Sequence, residues 1–211
     1  MKLLFKIFFL ISVLALNLFP QSYEWKDEYS ASSDPIYFVN DSLGYKPGST
    51  GTINKTTDGG GNWVQYDTGY DLDINAIFFI GAHNGWAVGT AGIILSTNDG
   101  GQSWNRQGNE YDANFNSVYF VNEKTGWAVG DKGAIYRTED GGMHWQSVNS
   151  GVDNNLFKVF FIDKYEGFAL GVGITLRTTD SGDNWGITYS RSVFSPNTIY
   201  FDEEKGWQKV K

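Results

Sequence analysis

The chain has no cysteine, four prolines, two histidines and two methionines among its 211 residues. Without cysteine there is no disulfide framework and no lipid-anchor site, so packing alone must hold the fold. The two histidines, His83 and His144, fall in different loop classes and have no cysteine partners. That set does not suit a transition metal, and acid–base chemistry would have to come from carboxylates. Phosphate-binding loops and serine-nucleophile elbows are also missing. Positive charge is scarce, with 16 Lys and Arg against 24 Asp and Glu and a net charge of −8. This disfavours nucleic acid or an anionic membrane as a partner, since both need a basic footprint. No apolar segment of helical period occurs beyond the N-terminus, so few helices are expected.

The one long apolar stretch spans Ile7 to Phe19, 13 residues behind Lys2 and Lys6, and Pro20-Gln21-Ser22 follows it. It is shorter than the roughly 20 residues of a membrane span, and it reads as the core of a secretory signal. Residues 1–22 are therefore expected to be a signal peptide, with residues 23–211 exported to the periplasm, cell surface or exterior without membrane insertion. Removing the signal leaves 14 basic and 24 acidic side chains, a net charge of −10.

Glycine and aromatic residues are abundant: 26 Gly, 8 Trp, 12 Tyr and 15 Phe. This composition suits short strands joined by tight turns. Thr56-Thr57-Asp58-Gly59-Gly60-Gly61-Asn62-Trp63 recurs around Asp99 and Trp104, Asp140 and Trp145, and Asp180 and Trp185, at steps of 41, 41 and 40 residues between the aspartates. Gly85-Trp86-Ala87-Val88-Gly89 recurs at Gly126 and Gly167 with the same step, with a weaker copy at Gly44 and the start of another at Gly206-Trp207. An apolar run precedes each copy. Each unit thus reads as four antiparallel strands, the first innermost, in a repeat the size of a propeller blade. The expected architecture is an all-β propeller with units at about 36–76, 77–117, 118–158 and 159–198 and a partial fifth at 199–211. This leaves a five-bladed ring with a deficient last blade, or an open part of a larger ring. A lone strand at Trp25-Lys26-Asp27-Glu28-Tyr29 could complete the last blade.

The aspartate motif lies at the hairpin between the third and fourth strands. There the carboxylate is expected to accept bonds from backbone N–H groups two residues on, the glycines to supply positive φ, and the Trp to pack under the hairpin or on the next blade. Asp58, Asp99, Asp140 and Asp180, with Trp63, Trp104, Trp145 and Trp185, are therefore read as structural. One identical Asp per blade is not a paired-carboxylate site.

The pattern Ser/Thr-x-Asp-x-Gly-x-x-Trp resembles the Asp-box, or BNR repeat, of sialidases, sortilin-type receptors and several glycosidases. Coupled to Gly-Trp-Ala-Val-Gly and to Gly133-Ala134-Ile135-Tyr136-Arg137-Thr138, it resembles the photosystem II stability/assembly factor family. That resemblance implies a seven-bladed propeller and an arginine-rich surface for a protein partner; with neither metal nor phosphate motifs in the sequence, no cofactor is expected. Arg137 and Arg177 hold one repeat slot, filled by Lys55 and Ser96 in the first two units. They are candidate partner-binding residues, or else ordinary surface charge.

On the opposite rim, Asp71, Asp112 and Asp153 each lie eight residues after a motif Trp, and Tyr70 and Tyr111 precede two of them. Asp73 and Glu110 add charge. The expectation is an acidic, aromatic rim that either caps turns or binds a basic peptide, a cation or a sugar. The leading function is a non-enzymatic, exported scaffold that binds or assembles another protein. The rival is a glycan-binding module or glycoside hydrolase.

Overall fold

The computed structural model describes residues 36–108, 111–190, 199–202 and 206–209. The signal segment, the Trp25–Tyr29 strand and Glu110 lie outside them. The chain divides into two compact units, residues 34–196 and a second made of residues 1–33 with 197–211.

The larger unit holds four antiparallel four-stranded sheets, each built from consecutive strands. Blade 1 is β1 (Tyr37–Phe38), β2 (Gly44–Pro47), β3 (Thr52–Thr56) and β4 (Val64–Asp67). Blade 2 is β5 (Ile74–Ile80), β6 (Asn84–Gly89), β7 (Ile94–Thr97) and β8 (Asn105–Arg106). Blade 3 is β9 (Phe115–Phe120), β10 (Gly126–Gly130), β11 (Ile135–Thr138) and β12 (Gln146–Val148). Blade 4 is β13 (Leu156–Phe161), β14 (Gly167–Gly171), β15 (Ile174–Thr178) and β16 (Gly186–Ser190). In the second unit, β17 (Ile199–Asp202) and β18 (Gly206–Lys209) form an antiparallel hairpin. Helix among the described residues is limited to two three-residue 3-10 turns, Thr90–Gly92 and Asp131–Gly133.

The core lies between blades rather than within them. Tyr45 and Ile53 of blade 1 join Ile74, Ile77, Phe79 and Trp104 of blade 2 in one buried cluster. Trp86, Val88 and Ile94 of blade 2 meet Phe115, Val118 and Phe120 of blade 3. Trp127, Val129 and Ile135 of blade 3 meet Leu156, Val159 and Phe161 of blade 4. A single sheet has two apolar faces, and only neighbouring sheets can cover both.

One aromatic arrangement recurs at each of these seams. The second-strand aromatic stacks flat on the first-strand Phe of the next blade: Tyr45 on Phe79 at 3.9 Å, Trp86 on Phe120 at 3.7 Å and Trp127 on Phe161 at 3.7 Å. The motif Trp then meets the same Phe edge-on from within its own blade, at 5.9, 5.7 and 6.0 Å for Trp104, Trp145 and Trp185. The motif Trp therefore packs beside its own first strand, and the second-strand aromatic is what reaches across the seam. Each such ring pair contributes about 0.5–1.5 kcal/mol beyond area burial.

The same Phe explains the glycine that opens the second strand. Gly126 pairs directly with Phe120, and a Cβ on Gly126 would fall 2.5 Å from the ring. The glycine is needed because the ring lies flat over it.

Candidate functional site

Strand direction alternates within a blade, so each blade presents two rims. The aspartate-motif turn bonds to the loop between the first and second strands of its own blade, as in Gly100 N–H to His83 O and Gly141 N–H to Lys124 O. On the other rim, the turn between the second and third strands bonds to a blade-to-blade connection, as in Thr90 N–H to Asp73 O and Asp131 N–H to Asn114 O.

On the motif rim, the threonine hydroxyl and the aspartate carboxylate close one network. In blade 3, Thr138 Oγ1 accepts the N–H groups of Asp140 and Gly142 and donates to Asp140 Oδ1 at 2.9 Å. Asp140 Oδ1 also accepts His144 N–H at 2.9 Å, and Oδ2 meets His144 Nδ1 at 2.7 Å. Asn62, Ser103 and Asn184 take the place of His144 beside Asp58, Asp99 and Asp180. The carboxylate therefore reaches the N–H four residues on, not two, because the threonine hydroxyl holds it over the longer turn. Gly141 and Gly142 make the turn possible at φ of 78° and 100°.

These bonds depress the aspartate pKa values. The backbone and side-chain donors of Asn62, with Thr56, bring Asp58 to about 2. Burial raises that of Asp140, but the bonds from His144 and Thr138 outweigh it and leave Asp140 at about 2. Asp99 and Asp180 are lowered by the same kinds of bond, against the opposing effect of burial at Asp99. A carboxylate with both oxygens engaged is a turn lock.

Arg137 extends from β11 to the motif turn of blade 4, where Nη1 lies 2.5 Å from Asp183 Oδ1, while Nη2 lies 2.7 Å from Glu139 Oε1. At the equivalent slot, Lys55 donates to Gly100 O of the next blade at 2.8 Å. Arg177 instead pairs with Glu166 of its own blade at 2.6 Å. The cations in this slot are thus bound to protein oxygens, two of them across a seam.

On the opposite rim, Asp71, Asp112 and Asp153 are all exposed on successive blade-to-blade connections. The structure places Asp112 in a groove of about 760 Å³ that neither Asp71 nor Asp153 lines. Tyr70 packs against the seam between blades 1 and 2. Tyr111 sits edge-on to Phe115 and Tyr136, at 6.0 and 5.0 Å. Both tyrosines pack toward the core, and Tyr111 at the same time lines the groove beside Asp112. The groove is also not purely acidic, since Arg106, Asp131 and Lys132 line it with Asp112. Asp131 and Lys132 were not among the sequence candidates. The residue types gave no sign of them: Thr50, Ala91 and Lys132, 41 residues apart, differ in chemistry and share only a positive φ, at 45°, 51° and 53°, in the folded backbone. Among the described residues, no three His, Cys, Asp or Glu side chains gather as a metal site would require.

A search among curated proteins finds no match. Among solved structures, the chain is similar to YCF48 bound to D1 peptide, at 22% identity and a TM-score of 0.64, covering 83% of this chain and 65% of that one. It is similar to YCF48 from Cyanidioschyzon merolae at 21% identity and a TM-score of 0.58, covering 78% and 57%. It is also similar to an ancestral GH74 enzyme at 15% identity and a TM-score of 0.64, covering 84% and 31%. At these identities the likeness shows the propeller fold, and the chain spans 65% and 57% of the lengths of the two YCF48 structures. The sequence itself matches the family described as photosynthesis system II assembly factor YCF48 twice, over residues 24–110 and 108–191. Those two matches cover most of the chain, which therefore belongs to the photosynthesis system II assembly factor YCF48 family.

Proposed function

We propose that this chain is an exported, non-enzymatic propeller that serves as a scaffold, binding another protein or helping to assemble one. The family match carries this reading, together with a related fold whose structure holds a D1 peptide. The use of residues supports it as well. The most regular carboxylates of the repeat are spent on turns, and Lys55 and Arg137 of the cationic slot are spent on blade seams. Export rests on the basic start and the 13-residue apolar run.

The glycan reading has one observation behind it: Asp112 and Asp131 line the same groove. Asp131, however, holds the Asn116 amide on Oδ1 at 3.1 Å and the Asn114 amide on Oδ2 at 3.0 Å, which leaves it poorly placed as an acid or base.

The test offers the purified protein to an envelope extract of its own source and, in parallel, to a glycan array. Reproducible capture of one protein partner with a silent array is expected. Glycan binding that Asp112→Ala abolishes would overturn the scaffold reading.

A further inference from the structure

Cations are scarce in this acidic chain, and five of the described ones are committed. Lys55, Arg137 and Arg177 hold protein oxygens, and Lys46 and Lys164 lie over aromatic rings. Arg106 and Lys132 differ. Both line the groove between blades 2 and 3, and neither side chain has a hydrogen-bond or ion-pair partner among the described residues. Asp112 lines the same groove and is also without a partner there. The remaining groove carboxylate, Asp131, is turned to the Asn114 and Asn116 amides and does not neutralise Lys132.

The position of Lys132 is set by its backbone. It has φ of 53°, a conformation costing a non-glycine residue about 1 kcal/mol. Its N–H is held by Asn155 Oδ1 of the next connection at 3.0 Å. Lys132, anchored through its backbone, and the unpaired side chain of Arg106 thus give one groove two cationic donors that a carboxylate can take.

The groove's volume of about 760 Å³ falls in the range of binding clefts, and it is partly open to solvent. Its charges select among occupants. A phosphate or nucleic acid would meet Asp112 and Asp131 as well as the two cations. A sugar would stack on an open aromatic face, and the one ring that lines the groove, Tyr111, is half-buried and packed edge-on to Phe115 and Tyr136.

We propose that this groove binds an extended peptide segment carrying one acidic and one basic side chain, the acid held by Arg106 and Lys132 and the base by Asp112. The assignment rests on the scaffold reading above and names the surface and the partner chemistry.

Fluorescence anisotropy with the full chain tests it, using labelled Gly/Ser peptides that carry Glu and Lys at several spacings, Glu alone, Lys alone, or neither. A Glu–Lys peptide should bind most tightly. Arg106→Ala and Lys132→Gly should each weaken it roughly tenfold, the scale of losing one charged hydrogen bond. Asp112→Asn should weaken Glu–Lys and Lys-only peptides but not the Glu-only peptide. Lys132→Gly suits the backbone at positive φ, and Lys124→Ala on the other rim serves as the control that leaves binding unchanged. Circular dichroism establishes that each variant is folded. Equal binding of all four peptide classes, or equal loss with Lys124→Ala, overturns the proposal. A partner captured equally by the wild type and the three groove variants would also overturn it, while leaving the scaffold reading intact. Failure of the wild type to capture any protein would refute the scaffold reading itself.

Discussion

The guanidinium of Arg137 in blade 3 grips Asp183 in the motif turn of blade 4, with Nη1 2.5 Å from Oδ1. The Arg137 side chain is only 18% exposed, while that of Asp183 is 60% exposed. The same guanidinium takes Glu139 and lies 6.0 Å from the centre of the Trp127 ring, so charge and packing act at one seam. Arg137→Ala should destabilise the protein by about 1–2 kcal/mol, combining a partly exposed ion pair with lost stem packing. A double-mutant cycle with Asp183→Ala should give a coupling of about 0.5–1 kcal/mol that shrinks as salt is added. Zero coupling at low salt would remove the seam-clamp interpretation.

Trp86 and Trp127 hold the same repeat position and stack on their Phe partners at the same 3.7 Å, but their indole N–H groups differ. Trp86 Nε1 donates to Gly141 O of the next blade at 2.8 Å, whereas Trp127 Nε1 is buried with no partner. Replacing either by Phe removes similar volume. Trp86→Phe should therefore cost about 1 kcal/mol more than Trp127→Phe, because only the first leaves a carbonyl unpaired. Denaturant midpoints of the two variants measure the difference, and equal midpoints would contradict it.

The motif aspartates tie stability to pH. Asp58 and Asp140 have folded-state values of about 2, below the ordinary 3.8 that they regain on unfolding. A depressed folded value means that the stabilisation is complete above the unfolded value and is lost as pH falls through the folded one. The denaturation midpoint should therefore hold down to about pH 4 and fall between about pH 4 and pH 2. Asp140→Asn should lower stability at neutral pH and flatten that decline. An unchanged acid limb in the variant would show that Asp140 does not contribute to it.

The blades were legible because a period of 41 residues places Thr, Asp, Gly and Trp at fixed slots, and local turn chemistry is enough to interpret them. The direction of Tyr70 and Tyr111 was not legible. Alternation along a strand does not extend into a connection, and the empty space that each tyrosine fills is created by a neighbouring sheet. The partner of Arg137 was hidden for a related reason: Asp183 is 46 residues away, in a turn whose distance from β11 depends on how two sheets pack. The groove was partly visible, since Asp112 stands out in the repeat. Asp131 and Lys132 belong to a different blade-rim turn and join it only through the hydrogen bonds between that turn and the connection at Asn114.

The sequence by itself determined the repeat, the four strands of each unit and the turn lock between the third and fourth strands. These depend on interactions within a few residues, or on a hydrophobic pattern that any neighbouring copy satisfies. Only the tertiary structure decided which charges remain available. Arg137 and Arg177 are equivalent to Lys55 in the repeat, yet the side chains bind a neighbouring turn, their own blade and a backbone carbonyl respectively. Arg106, Lys132 and Asp112 share no repeat slot, yet they meet unpaired in one groove. Pairing of charges is decided over a few ångströms between separate elements, and a periodic sequence does not encode those distances.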